Sequence, residues 1–454
     1  MINNRSELAT TPRRETVLDL VEAGIRAVLP STVMPSALSY DPEERLLTVC
    51  GERFRVRDGR IFVVGGGKAA ARMAEALEKI IPSDHVAGGI VNCRHGSTHT
   101  RAIEVREAGS PLPDERGVEG VRDMLSLKER YGITEDDLVL CLISGGGSAL
   151  LPCPAGDITV EELVNVTDDL LACGAEIHRI NAVRKHLSEV KGGRLGQFYA
   201  PARVVSVIIS DVLGNDLDVI ASGPTVPDRS SFRDALDVLE EYGLHGGLPE
   251  SVRRRLERCA EGDIEENPRR LPNCHNYIIA DNRVALEAME EEARARGLSS
   301  RVLTCRQTGR PEEVARGRAS QAISGEFDDT EVVLLGGETT PVLPDDAGKG
   351  GRNQHYAAAS VLAMEDYPGP WTLASVGTDG SDYVADVAGA IVDDQTAQKA
   401  RGQGLDIRKH VEGFDSYTLF EKLGGSLIRT GDTGTNVCDV VVYLLGGDVS
   451  SGGG

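Results

Sequence analysis

The chain of 454 residues has no C-x-x-C pair among its nine cysteines, which are scattered at positions 50, 93, 141, 153, 173, 259, 274, 305 and 438. That absence argues against a zinc site and against a disulfide framework, and it leaves buried thiols as the reading. Long apolar runs are missing too: none approaches the ~20 residues that a membrane span requires. The opening MINNRSELATTPRRE carries no apolar signal core, so the cytoplasm is the expected compartment. Lysine is scarce, with nine residues (68, 79, 128, 185, 191, 349, 399, 409 and 422) against forty arginines. Positive charge as a whole is outnumbered, for a formal net charge of −22. Such a chain repels nucleic acid and anionic membrane unless a local basic patch overrides its field. Acid-rich, lysine-poor surfaces suit a salt-rich cytoplasm, where screening removes the self-repulsion.

What is present is glycine at the ends of apolar strands. The length accommodates roughly two or three domains, and the apolar and charged fractions, 40% and 26%, are ordinary for a globular protein. The organising stretch is DLVLCLISGGGSALLP, residues 137–152. Its apolar run, Leu138 to Ile143, reads as a buried strand of a parallel sheet. It stops at Ser144-Gly145-Gly146-Gly147-Ser148, where three glycines can turn sharply and present backbone N–H groups to phosphate oxygens. A tight turn without a ligand is the alternative for this loop alone, but the same strand-then-glycine move recurs along the chain.

Residues 15–29 have helical spacing, closed by Pro30 and Pro35, and a short hairpin is predicted at 46–56, turning near Gly51. Strand 61–64 runs into Gly65-Gly66-Gly67, with Lys68 at the start of an alanine-rich helix, which reads as an anion site. The loop matches a G-x-G-x-x-A dinucleotide fingerprint loosely, but the next strand ends at Asn92–Cys93 and offers no acid for a ribose. It fails as a Walker loop, because no Ser or Thr follows Lys68. A carboxylate or phosphate clamp remains, against the bland reading of a solvated first-turn lysine.

Residues 115–131 read as a helix. Two more helical segments are predicted near 160–174 and 178–195. The second gathers Arg179, Arg184, Lys185, His186, Lys191 and Arg194, with Arg184, Ser188 and Lys191 on one face if the helix is continuous. Nucleotide phosphates are the natural partner of such a cluster. Strand 203–210 opens onto Asp211 and Asp216, where a carboxylate could hold Mg²⁺ or simply cap a helix. The pattern fades over 245–273, which is the candidate domain boundary. Strands then resume at 277–280, 301–304 and 331–337. Glu338 follows the last, and Gly348-Lys349-Gly350-Gly351-Arg352-Asn353 leads another helix, with Arg352 suited to bidentate grip on a carboxylate or phosphate. Asp379 and Asp382 follow a further strand, a Thr/Gly/Asn loop spans 430–436, and the glycine-serine tail 450–454 reads as disordered.

Taken together, SGGGSALLP, INAVRKHLSEVKGGRLG, SDVLGNDLDVIASGPTVPD, LGGETT, GKGGRNQH, GTDG and GDTGTNV resemble the MOFRL-type (class II) glycerate 2-kinases, over roughly residues 15–445. The resemblance implies an α/β fold: a Rossmann-like N-terminal domain, placed at 1–266, and a second mixed α/β domain at 267–454, with the active site in a cleft between them. It implies ATP- and Mg²⁺-dependent phosphorylation of D-glycerate to 2-phosphoglycerate. Lys68 and Arg352 match the family's catalytic lysine and arginine. The chain departs from the family pattern at Ser110-Pro111, where His-Pro is usual, at Cys438, and at 383–385.

The expected catalytic residues are Lys68 and Arg352, carried over from the resemblance, and Asp211, taken from its place at a strand's carboxyl end to orient the attacking hydroxyl. ATP is expected at Ser144, Gly145, Gly146, Gly147, Ser148, Arg184, Lys185 and Lys191. Substrate is expected at Gly66, Gly67, Lys68, Arg352 and Asn353, and metal at Asp211, Asp216 or Glu338. The partners are small molecules rather than nucleic acid or membrane, and a homo-oligomer is left open. Two rival readings are an NAD(P)H-dependent hydroxypyruvate reductase and a non-catalytic carboxylate- or nucleotide-binding protein.

Overall fold

In the computed structural model, which describes residues 1–56, 59–96, 98–384 and 386–446, the chain divides into two compact units. One is Pro30–Ile279; the other joins Met1–Leu29 to Ala280–Gly454. The bounds of these units differ from the expected 1–266 and 267–454. The expected disordered tail, 450–454, lies outside the described residues.

The Pro30–Ile279 unit begins with a small antiparallel sheet of β1 (Leu38–Asp41), β2 (Leu46–Val49) and β3 (Glu52–Arg55). The predicted hairpin is its second half, with Leu47 opposite Phe54. Pro30 does not merely end the preceding helix: it opens a new one, Pro30–Ala37, that continues through Pro35. The main sheet has six strands: β4 (Ile61–Gly66), β5 (Val86–Cys93), β6 (Ile103–Glu107), β7 (Leu138–Ser144), β8 (Arg203–Ile209) and β9 (Cys274–Ala280). Their order is β6-β5-β4-β7-β8-β9, and the pairs from β6 through to β8 are parallel. β4 and β7 are buried at every position, as strands covered on both faces must be. Their side chains Phe62, Val64, Val139, Cys141 and Ile143 pack with Val121, Met124 and Leu127 of the helix Glu115–Tyr131. That helix starts where Asp114 accepts the amide of Gly117 and ends at Gly132, whose φ is +58°. None of the nine cysteines forms a disulfide, and burial pushes the Cys141 thiol up to about 12.

The polar segment before β9 makes specific bonds to the rest of its unit. Asn273 accepts the amide of Val204 through its carbonyl, and Asn267 bonds both Asp228 and Arg194. The polar 245–273 segment is therefore fastened to the first unit, and β9 extends that unit's sheet. The predicted helix 178–195 is also corrected. It is two helices, Ile177–His186 and Arg194–Tyr199, separated by a turn in which Gly192 and Gly193 both take positive φ. Ser188 there bridges to Pro154, so Arg184, Ser188 and Lys191 do not share a helical face.

The second unit holds β10 (Ser300–Gln307), β11 (Val332–Gly337), β12 (Trp371–Gly377), β13 (Gly389–Asp393), β14 (Leu427–Ile428) and β15 (Asp439–Leu445). Their order is β10-β11-β15-β12-β13-β14. Only β10 and β11 run parallel; the remaining pairs are antiparallel. The N-terminal helix, Pro12–Ala27, is part of this unit for specific reasons. Arg14 donates from Nε to Asp393 at 2.5 Å and from Nη1 to the Gly425 carbonyl at 2.6 Å. Arg13 donates to the carbonyls of Leu444 and Gly446. Gly24 lies so close to Met289 that a Cβ would sit 2.8 Å from its Cγ.

Candidate functional site

Numbered from β4, the first sheet has the order 3-2-1-4-5-6, which reverses between β4 and β7. Ligands of open α/β sheets sit in the crevice beyond the carboxyl ends of the strands at such a reversal. The two glycine loops of the first half, 65–68 and 144–148, are the turns that leave β4 and β7. They are locked to one another. The Lys68 amide donates to the Gly145 carbonyl at 2.8 Å, and the Ala69 amide donates to Ser144 Oγ at 2.9 Å. Gly67 has φ +152°, and a Cβ there would lie 2.2 Å from Ser144 Oγ. At Gly66 a Cβ would lie 2.9 Å from the Leu151 side chain.

Those contacts correct part of the expected site. Ser144 is fully buried and spends its hydroxyl on the helix that begins after Lys68. Gly66 and Gly67 are explained by the close approach of the second loop, without a ligand. The Gly67, Lys68 and Ala69 amides, which a pyrophosphate would need, already have acceptors in Asn92, Gly145 and Ser144.

Beyond the two loops lies a cavity of about 420 Å³, lined among others by Lys68, Gly146, Ser148, Arg184, Lys191 and Asp211. Six of the expected residues thus come together, from five separate stretches of chain. Gly146 turns into it with φ +77°, and a Cβ there would meet the Lys68 side chain at 3.3 Å. Ser148 Oγ pairs with Ser222 Oγ at 2.9 Å, and the Ser148 carbonyl accepts from Lys191 Nζ at 2.8 Å. Lys191 is 2% exposed, and its ammonium has a second carbonyl, Leu151, at 3.4 Å. Among the described residues no carboxylate lies within ion-pairing distance of it. Burial, aided by the neighbouring Arg184 and opposed by Cys153, therefore pushes its pKa down to about 7. Burial also lowers that of Arg184, with Asp168 opposing; Arg184 Nε reaches Thr167 Oγ1 at 3.4 Å.

Lys185 and Asp216 are not in this cavity. Both line a second one, with His178, Asp218 and Asp228. There Lys185 is tied to Asp218 at 2.5 Å and to Asp228 at 3.4 Å, and Asp216 accepts the Asp218 amide. Helical geometry explains the separation: adjacent residues Arg184 and Lys185 point about 100° apart.

Arg352, Asn353 and Glu338 belong to the second unit. Arg352 opens the helix Arg352–Ala363. Its guanidinium grips Asp439 through Nε and Nη2, at 2.6 and 3.0 Å, and Glu338 through Nη1 at 2.5 Å. Burial disfavours its charge, but Asp439 and then Glu338 outweigh that and hold the pKa above the usual arginine range. The amides of Asn353 and Gln354 are not open to an outside anion, because buried Asp382 accepts both, at 3.1 and 2.9 Å. Asn353 spends its side chain on Asp382 and Ser375. Burial raises Asp382 to about 6 despite those amides. Glu338 is thus a partner of Arg352, and among the described residues no group of three or more His, Cys, Asp or Glu could hold a metal ion.

Several lining residues escaped the sequence reading. Leu163, Val164, Thr167, Asp168 and Leu171 of the helix Val160–Ala172 form one wall. Their i, i+4 spacing was visible, but the spacing marks a buried face as readily as a site. Ser110, Pro111, Leu112 and Pro113 line it too, with Ala149.

A doubly wound α/β unit with a cation-lined cavity at its switch point, followed by a mixed-sheet unit, is the class of protein these features define. Residues 16–257 match the model of a domain of unknown function (DUF4147), and residues 331–439 match that of the MOFRL family. The chain belongs to the MOFRL-type glycerate kinase family. The glycerate 2-kinase of Pyrococcus horikoshii is 39% identical over 95% of this chain and 97% of its own length. A putative hydroxypyruvate reductase of Agrobacterium vitis is 37% identical over 94% and 95%. The crystal structure of glycerate kinase from Thermotoga maritima is 35% identical and superposes with a TM-score of 0.81, covering 95% of this chain and 99% of that one.

Proposed function

We propose that this chain is an ATP-dependent glycerate 2-kinase, phosphorylating D-glycerate to 2-phosphoglycerate. The observation that carries the reading is the gathering of Lys68, Arg184 and Lys191 around one cavity in a chain of net charge −22. Cations converging there suit the negative charge of a triphosphate, and the relatives named glycerate kinase extend over nearly the full length. Phosphoryl transfer needs positioning and charge neutralisation more than covalent chemistry. Lys191, Arg184 and Lys68 hold the phosphates together with the Gly146–Ser148 turn, and Lys68 stabilises the charge that develops on the transferring group. Arg352 receives the glycerate carboxylate or the phosphoryl group, in exchange for Glu338, the more exposed of its two carboxylates. Asp211 is the one carboxylate of the three metal candidates that shares the cavity with the cations. A single carboxylate completed by phosphate oxygens and water is a donor set that Mg²⁺ accepts. Bound there, Mg²⁺ would neutralise phosphate charge, while Asp211 also orients the attacking hydroxyl.

A reductase reading draws on the relative of that name. Against it, the strand that would supply a ribose acid ends in Asn92-Cys93, and Asn92 is a buried amide bonded to the Gly117 and Leu150 carbonyls. Incubation with ATP, Mg²⁺ and D-glycerate should release ADP, with 2-phosphoglycerate identified by NMR; NADH oxidation with hydroxypyruvate should be absent. Lys68→Ala and Arg352→Ala should each lose about 3 kcal/mol of transition-state stabilisation, the scale of removing one electrostatic donor. ATP binding without turnover, or near-normal kcat in both variants, overturns the assignment.

A further inference from the structure

The cavity beyond β4 and β7 has a side that the reaction as described does not use. Besides its cations it is lined by Pro111, Leu112 and Pro113 on one segment and by Leu163, Val164 and Leu171 on the helix Val160–Ala172. Leu112 and Leu171 are 57% and 54% exposed, unusual for leucines beside an otherwise well-buried core. Glycerate has no apolar surface to offer six such side chains, and neither has a triphosphate. The cavity volume, about 420 Å³, falls in the range of sites for cofactor-sized molecules and far exceeds what a three-carbon acid fills. Charge restricts the occupant further: whatever lies on the apolar side is attached to a group that suits Lys68, Arg184 and Lys191.

We infer that the Pro111–Pro113 segment and the Leu163–Leu171 helix face are the two walls of a nucleoside subsite, which hold the base and ribose of the nucleotide whose phosphates meet the three cations. This rests on the kinase reading and adds to it where the nucleoside goes. A planar base buries both faces against aliphatic side chains, gaining roughly 25 cal/mol per Å² of apolar area removed from water. Asp168 lies on the same helix face and supplies carboxylate oxygens for the ribose hydroxyls. The two exposed leucines are the free edges of the slot, which adenosine covers.

The test compares ADP with inorganic tripolyphosphate, which carries the charge and lacks the nucleoside. Leu112→Asn and Leu171→Asn change side chains more than half exposed, so the fold should tolerate them. In the double variant, calorimetric Kd for ADP should rise about tenfold, the KM for ATP should rise in step, and tripolyphosphate binding and the KM for glycerate should stay within twofold of wild type. Equal weakening of ADP and tripolyphosphate, or no change in either, overturns the subsite. Failure of the wild type to bind ADP at all would instead overturn the kinase reading beneath it.

Discussion

Lys191 is the residue whose chemistry is most altered by its setting. Two backbone carbonyls hold its ammonium, and burial with Arg184 nearby brings its pKa to about 7. Lys68, Asp168 and Asp211 line the same cavity. The sign follows directly: below pH 7 the amine is charged and meets phosphate as a cation, and above it the amine is neutral and that attraction is lost. ADP affinity should therefore fall between pH 7 and 9, and binding in that interval should take up a proton. Calorimetry in two buffers of different ionisation enthalpy measures the uptake. Lys191→Arg keeps the charge and should flatten both; a flat wild-type profile removes the role. The sequence showed a basic residue in a basic stretch. Its burial, which makes it titratable, arises from Ser148 and Leu151, forty or more positions away.

Among the elements, the N-terminal helix departs furthest from expectation. Its helical spacing was legible, yet its adjacency to residues 30–279 in the chain says nothing about where it packs. Arg14 decides that, through an ion pair with Asp393 in which both side chains are largely buried. Breaking such a pair from one side leaves a buried charge, at a cost of about 3–5 kcal/mol. Arg14→Met should lower the thermal midpoint of the second unit markedly, and Arg14→Met with Asp393→Leu should recover much of the loss. A single variant as stable as wild type would mean the helix is held by apolar packing alone. The basic segment teaches a related lesson. Periodicity carried the predicted helix through Gly192-Gly193, whereas the chain uses both glycines at positive φ to turn, and that turn delivers Lys191 to the cavity.

For the molecule as a whole, the dominant fact is an excess of 22 negative charges. Repulsion among exposed charges extends over about 10 Å at 0.1 M salt and about 3 Å at 1 M. Raising KCl across that interval should raise the thermal midpoint, and a salt-indifferent midpoint would show that the charges are locally compensated. Many are paired, as Arg60 with Asp137 and Arg106 with Asp123 show, so the increase measures the remainder.

The sequence by itself determined the parallel sheet of the first unit, the glycine turns at the ends of β4 and β7, and the family. Each of these is written in local apolar runs, in residues that alone tolerate a given backbone, or in motifs of contiguous residues. Only the tertiary structure decided which expected ligands share a cavity. Lys185 and Asp216 went to another one, Ser144 and Asn353 were spent on internal hydrogen bonds, and Asp382 took the amides that an anion would have used. The reason is physical: a polar side chain is committed by whatever partner burial brings to it, and those partners lie far away in the chain.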